Sequence, residues 1–137
     1  MIEQKNKYSK NEKLKSKKAI EHLFSKGKSL NAFPLRAIFT KKPIPENVPI
    51  NAGVVVSKKN IKLAANRNLI KRRMREAYRL NNHDLKASLT AKETELDIMF
   101  IYSSKEILPF ATIEGKMKAL LMRLSEVEWN GFLAKYL

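Results

Sequence analysis

The stretch Ser57 to Arg79 reads SKKNIKLAANRNLIKRRMREAYR and sets nine lysines and arginines against a single glutamate. The periodicity predicts a helix from about Leu63 or Asn66 to Leu80, on which Ile70, Met74, Ala77 and Tyr78 share one arc of about 100°. Asn68, Lys71, Arg72, Arg75 and Arg79 occupy another arc of similar width, pointing away from the first. Lys71, Arg75 and Arg79 stand at i, i+4 and i+8, so their charges stack along one ridge. Like charges at that spacing cost an isolated helix about 0.2–0.5 kcal/mol per pair, and Glu76 offers only partial relief. A helix that keeps such a ridge has an external anion to neutralise it. Guanidinium forks match phosphate oxygens, and asparagine reads base edges or sugar hydroxyls. The chemistry on offer is polyanion binding rather than a merely solvated helix face.

Little else in the chain points to chemistry. There is no cysteine, which excludes disulfide frameworks, cysteine-ligated zinc and thiol catalysis, and fits a reducing cytoplasm. His22 and His83 are isolated and read as structural or solvated. Asp97 sits in a strand without a clear partner, and no carboxylate cluster carries a metal-binding motif. No apolar run reaches the length of about 18 residues that a membrane span needs, and the lysine-rich N-terminus lacks the apolar core of a secretory signal.

The formal net charge is +15. It is concentrated in two places: residues 1–18 carry a net +5 and residues 57–79 a net +8, whereas residues 92–137 carry −1. That asymmetry describes a footprint for nucleic acid, and an anionic membrane surface comes second.

The elements that must position this footprint follow from the pattern. The 137 residues suit one domain. Residues 1–13 are polar and aperiodic and read as a mobile basic arm, leaving 14–137 as the single domain. A short amphipathic helix over 16–26 places Ala19, Ile20, Leu23 and Phe24 at helical spacing, with Ser16 as N-cap and Gly27 as stop. A strand follows Pro34, over Leu35 to Thr40, and a connection with three prolines runs from Lys41 to Pro49. Asn51 to Ser57 is the strongest strand signal, its three consecutive valines implying burial on both faces. After the basic helix, residues 83–95 read as a loop or a fraying helical extension. Leu96 to Tyr102 is an apolar strand. A final helix after Pro109 and Thr112 carries Ile113, Met117, Leu120, Leu121, Leu124 and Val127 on one face. Trp129, Phe132 and Tyr136 then pack back on the domain or lengthen that helix. The expected architecture is α+β, a small two-layer sandwich of about four strands and three helices.

The string Asn66-Arg-Asn-Leu-Ile-Lys-Arg-Arg-Met-Arg-Glu-Ala-Tyr-Arg79, preceded by Gly53-Val-Val-Val-Ser-Lys-Lys59, closely resembles the signature region of the bacterial ribonuclease P protein family. There a strand ending Ser-Lys-Lys leads into a helix opening Arg-Asn-Arg, followed by Lys-Arg and then Arg-Glu-Ala with an aromatic. Arg67 and Asn68, Lys71 and Arg72, and Arg75 to Tyr78 match. Leu69 stands where the family usually has arginine, so that contact is missing or supplied by Arg73. The resemblance spans roughly residues 14–127 and is concentrated in 53–79.

The resemblance implies an α+β sandwich with a left-handed βαβ crossover, an exception to the usual right-handed rule. It implies a subunit of the endonuclease that removes the 5′ leader from precursor tRNA, in which the ribonuclease P RNA performs the hydrolysis with Mg²⁺ and this chain supplies no catalytic group and binds no metal tightly. By the same resemblance, Lys58, Lys59, Arg67, Asn68, Lys71, Arg72, Arg73, Arg75 and Arg79 contact the catalytic RNA. A cleft between the first helix and the sheet holds the single-stranded leader, with Phe24, Arg36, Ile38 and Phe39 as its candidates. The protein is expected to be cytoplasmic and monomeric without RNA. The rivals are a ribosomal-type or other basic RNA-binding protein with no processing role, and a DNA-binding module, for which no paired helix-turn-helix spacing exists.

Overall fold

The computed structural model describes residues 8–127. Seven residues at the start and ten at the end lie outside that range, and with them Trp129, Phe132 and Tyr136. A 3-10 turn at Lys10–Glu12 leads into α1 (Lys17–Lys26), β1 (Lys28–Ala32), β2 (Leu35–Lys41) and β3 (Ile50–Val56). There follow α2 (Ala64–Asn81), α3 (His83–Ala91), β4 (Leu96–Tyr102) and α4 (Phe110–Ser125).

The boundaries of α1 are those its sequence dictates. Ser16 Oγ accepts the Ala19 N–H at 3.2 Å, and Gly27 closes the helix by donating its N–H to Leu23 O. Gly27 is required by proximity: a Cβ there would lie 2.7 Å from Ile38 Cγ2.

The strands form one sheet in the order β1-β2-β4-β3. β2 runs antiparallel to both β1 and β4, whereas β3 and β4 are parallel neighbours. A parallel pair cannot be joined by a tight turn, so the chain must cross over, and α2 and α3 make that crossover.

One face of the sheet carries the main core. Leu35, Ala37 and Phe39 of β2, Ile50, Ala52 and Val56 of β3, and Leu96, Ile98, Phe100 and Tyr102 of β4 meet the buried stripes of α2, α3 and α4. In α2 the stripe is Ile70, Met74, Ala77 and Tyr78, as the periodicity requires. In α4 it is Ile113, Met117, Leu120, Leu121 and Leu124, with Val127 packed at its edge. The opposite face holds a small cluster in which Leu23 of α1 packs on Ile38 and Met99, flanked by Leu14, Ile20, Val55 and Ile101. Val54 lies against the main core and Val55 against the α1 side, so the valine run does serve both faces. The sandwich is lopsided: three helices cover one face and α1 alone covers part of the other.

The α+β class and the main elements match the sequence-based expectation, with two additions. His83–Ala91 forms a helix, α3, which buries Leu85 and Leu89. Lys28–Ala32 forms an edge strand, β1, paired in register with β2. The N-terminal boundary also moves. Residues 8–13, expected to belong to a mobile arm, lie against the domain: Tyr8 meets Tyr78 edge-on at 5.1 Å, the Tyr8 hydroxyl donates to Ala52 O, and Glu12 pairs with Lys86 at 2.7 Å. Residues 1–7 lie outside the described range.

Candidate RNA interface

The link between β3 and α2 is built to present lysines. Ser57 Oγ accepts the Asn60 N–H at 3.2 Å and Ser57 O accepts the Ile61 N–H at 3.0 Å, closing a tight turn. Ile61 is buried beneath it, so Lys58 and Lys59 at the turn's crest are exposed. Arg67, one turn into α2, reaches back and donates from Nη1 to Ile61 O at 3.0 Å and Lys62 O at 2.7 Å. It fixes the link to the helix. The first turn of α2 has no side-chain cap, which leaves N–H donors there open to an anion.

Beyond Arg67 the helix sorts its cations by what they touch. Asn68, Arg72 and Arg75 are exposed and Lys71 half-buried; among the described residues none of the four makes a side-chain hydrogen bond or ion pair. Arg73 points elsewhere, and its Nη1 donates to Leu108 O at 2.7 Å, tying α2 to the segment that enters α4. One donor of Arg73 is thus committed inside the fold. Arg79 holds Glu76 with two hydrogen bonds. Among the described residues of this link and helix, Lys58, Lys59, Lys62, Lys71, Arg72 and Arg75 carry cations without a side-chain hydrogen bond or ion pair. Arg67 and Arg73 serve the fold first, and Arg79 is half-neutralised.

The leader-cleft candidates separate more sharply. Phe24 stands on α1 with 51% of its surface exposed, available for stacking. Arg36 is exposed on β2, paired across the strands with Asn31 on one side and Ile101 on the other. Ile38 shares that face but lies under α1 at 8% exposure, so it forms floor rather than surface. Phe39 points to the opposite face, 3% exposed in the main core, and cannot line a cleft beside α1. The reason is the pleat: adjacent residues of a strand face opposite ways. Val55 and Ile101, which the sequence reading passed over, are half-buried beside α1 on the face that Arg36 shares. Counting in twos from Ile38 through the strand register finds Ile101, the only signal that would have done so.

No group of three or more histidines and carboxylates among the described residues is arranged to hold a metal ion. No helix among them is long and apolar enough to cross a membrane.

A four-stranded α+β sandwich with one cationic helix face is the frame of a basic polyanion-binding protein. Comparison with known proteins narrows the class. The family model described as Ribonuclease P matches residues 8–125. The ribonuclease P protein component of Porphyromonas gingivalis is 34% identical over 117 residues, covering 85% of each chain. That of Chlorobium phaeobacteroides is 28% identical over 134 residues, covering 89% of this chain and 92% of the other. Among solved structures, the ribonuclease P protein from Thermotoga maritima superposes with a TM-score of 0.64 at 28% identity, covering 82% of this chain and 96% of that one. The Staphylococcus aureus RNase P protein gives 0.64 at 20% identity, with 85% and 96% covered. The chain belongs to the ribonuclease P protein family, the protein subunits of the endonuclease that matures the 5′ end of tRNA. Membership makes the ribonuclease P RNA its partner.

Proposed function

We propose that this subunit docks on the ribonuclease P RNA through the outward face of α2 together with Lys58 and Lys59, and that the sheet face beside α1 takes the single-stranded 5′ leader of precursor tRNA. One observation carries the reading: Lys71, Arg72 and Arg75 project from a helix whose other side is locked in the core, and none has a partner among the described residues. Unpaired cations on a rigid element recover their repulsion only against an external polyanion. On the other side, exposed Phe24 supplies an aromatic face and Arg36 a cation, a combination that holds single strands of any sequence.

In this reading the RNA carries out the hydrolysis with Mg²⁺ that it binds itself, and the chain supplies binding energy and position but no acid, base or nucleophile. The chain works in the cytoplasm, as one domain, and is monomeric until it meets RNA.

The test is leader cleavage of a precursor tRNA by a bacterial ribonuclease P RNA at a few millimolar Mg²⁺, with and without the protein. Strong stimulation, absent with the protein alone and weakened by Arg72→Ala combined with Arg75→Ala, supports the proposal. Full stimulation by that double variant overturns the assignment of α2.

A further inference from the structure

Beside the N-terminal half of α1 lies a cleft of about 620 Å³, away from both the cationic face of α2 and the exposed Phe24 at the other end of α1. Its walls are the segment entering α1, α1 itself and the proline-rich connection between β2 and β3; Asn51 and Asp97, register partners on β3 and β4, lie at the sheet side. The volume falls in the range of pockets that hold small organic ligands.

Asp97 is the unusual residue. It is 3% exposed, yet its carboxylate makes no hydrogen bond among the described residues. Of the donors around it, His22 lines the cleft without a side-chain hydrogen bond among the described residues, and the others are spent. A lysine ammonium has three protons, and Lys42 Nζ directs them to Glu46 Oε1, Val48 O and Asn51 Oδ1. Asn51 Nδ2 donates to Asn11 O at 2.9 Å. The connection is itself pinned, because the N–H groups of Glu46 and Asn47 both donate to the Glu95 carboxylate. Burial pushes the Asp97 carboxyl above its usual range, against the pull of Lys42 and His22 and with the push of Glu46. The cleft therefore holds a carboxylate that is 3% exposed and makes no hydrogen bond among the described residues.

What surrounds this acceptor limits the ligand. Leu14, Ile44 and Val48 give apolar walls, and exposed Lys13, Lys15 and Lys18 stand along the cleft where the segment enters α1. A metal cation is excluded by the Lys42 ammonium and the lysines around it. A simple anion would be repelled by Asp97. A ligand that satisfies both ends carries paired N–H donors on a flat ring and a negative group beyond them.

We propose that this cleft binds a guanine nucleotide, with the Asp97 carboxylate receiving the ring N–H and exocyclic amino group of guanine and the lysines receiving the phosphate. Guanine alone among the common bases presents two adjacent donors that fit both oxygens of a carboxylate. Adenine and cytosine offer an amino group beside an acceptor, and the acceptor meets the carboxylate with like charge. The same chemistry is present in a free nucleotide and in an unpaired guanosine of an RNA strand.

The experiment is calorimetric titration of the full chain with guanosine 5′-monophosphate, adenosine 5′-monophosphate and inorganic phosphate. The guanosine nucleotide should bind about ten-fold or more tightly than the adenosine nucleotide, and phosphate alone more weakly than either. Asp97→Asn, checked for folding by thermal melting, should remove most of that preference. Ile44→Glu, at a side chain 72% exposed and so without consequence for folding, should weaken both nucleotides by placing a carboxylate on the wall. Equal binding of the two nucleotides, an unchanged preference in Asp97→Asn, or no saturable guanosine binding overturns the proposal. The source follows from an oligouridylate of about nine nucleotides carrying one central guanosine. Selective binding of it over plain oligouridylate, competing with the mononucleotide, identifies an RNA guanosine; mononucleotide binding without that selectivity identifies a free nucleotide. Neither arm involves the catalytic RNA, so failure here leaves the docking role of α2 untouched.

Discussion

Arg79 clasps Glu76 from one turn further along α2, with Nε donating to Oε1 at 2.9 Å and Nη2 to Oε2 at 2.7 Å. The hydrogen bonds hold the Glu76 carboxyl below its usual range and the Arg79 guanidinium above its own. Both side chains are well exposed, so the pair contributes little to stability, as surface pairs on helices do. Its larger effect is to remove one cation from the ridge that Lys71 and Arg75 continue.

Glu76→Gln should therefore strengthen binding to the ribonuclease P RNA. Releasing Arg79 raises the slope of log affinity against log salt by about one counterion. Filter binding across a salt series reads the slope, and an unchanged slope would place Arg79 outside the RNA interface.

The arginines of α2 should divide into two groups when each is replaced by alanine. Arg72→Ala and Arg75→Ala leave thermal stability nearly unchanged and lower the salt slope by about one each. Arg73→Ala and Arg67→Ala remove charge-assisted hydrogen bonds to carbonyls and cost about 1–3 kcal/mol of folding stability. Urea denaturation of the four variants separates the groups.

Phe24 and Phe39 should likewise come apart. Phe24→Ala is expected to weaken leader binding by about 1–3 kcal/mol, the loss of one stacked base, without lowering the melting temperature. Phe39→Ala opens a void in the main core and costs about 3–5 kcal/mol of stability, with any loss of leader affinity following unfolding. Comparing affinity for precursor tRNA with and without its leader checks both.

Burial raises the Tyr8 hydroxyl to about 12, against the attraction of Arg75. In the unfolded chain the same phenol ionises near 10, so between those values the folded state holds a proton that the unfolded state has released. The contribution of Tyr8 is complete below pH 10 and is lost as pH rises through about 12. Tyrosinate absorbance during an alkaline titration should show this late-ionising phenol, and Tyr8→Phe should remove it.

Legibility in the sequence tracks how strongly a segment's pattern commits it to one surface. In α2 an apolar stripe at period 3.6 stands opposite a cationic one, and both faces are where the wheel puts them. In β2 the run Ala37-Ile38-Phe39 is apolar throughout, because both faces of the strand are covered, so alternation cannot say which residue turns towards α1. Lys28–Ala32 is an exposed edge strand with only Leu30 to mark it, and His83–Ala91 reveals its helix through Leu85 and Leu89 alone. Tyr8 sits in a polar stretch, and its partners Ala52 and Tyr78 are distant in sequence. Asp97 has no partner that a sequence pattern could name, because the cleft it lines is closed by the connection between β2 and β3 and the segment entering α1.

The contact between the N-terminal segment and Ala52 has one more consequence. β3 ends the sheet, and its outer backbone groups would form an open template for a strand from another molecule. The Leu14 N–H and the Tyr8 hydroxyl both donate to Ala52 O, and Lys13 bridges to Ala52 alongside. The residues leading into the domain thus occupy the outer backbone of this valine-rich margin at Ala52, where an incoming strand would otherwise pair.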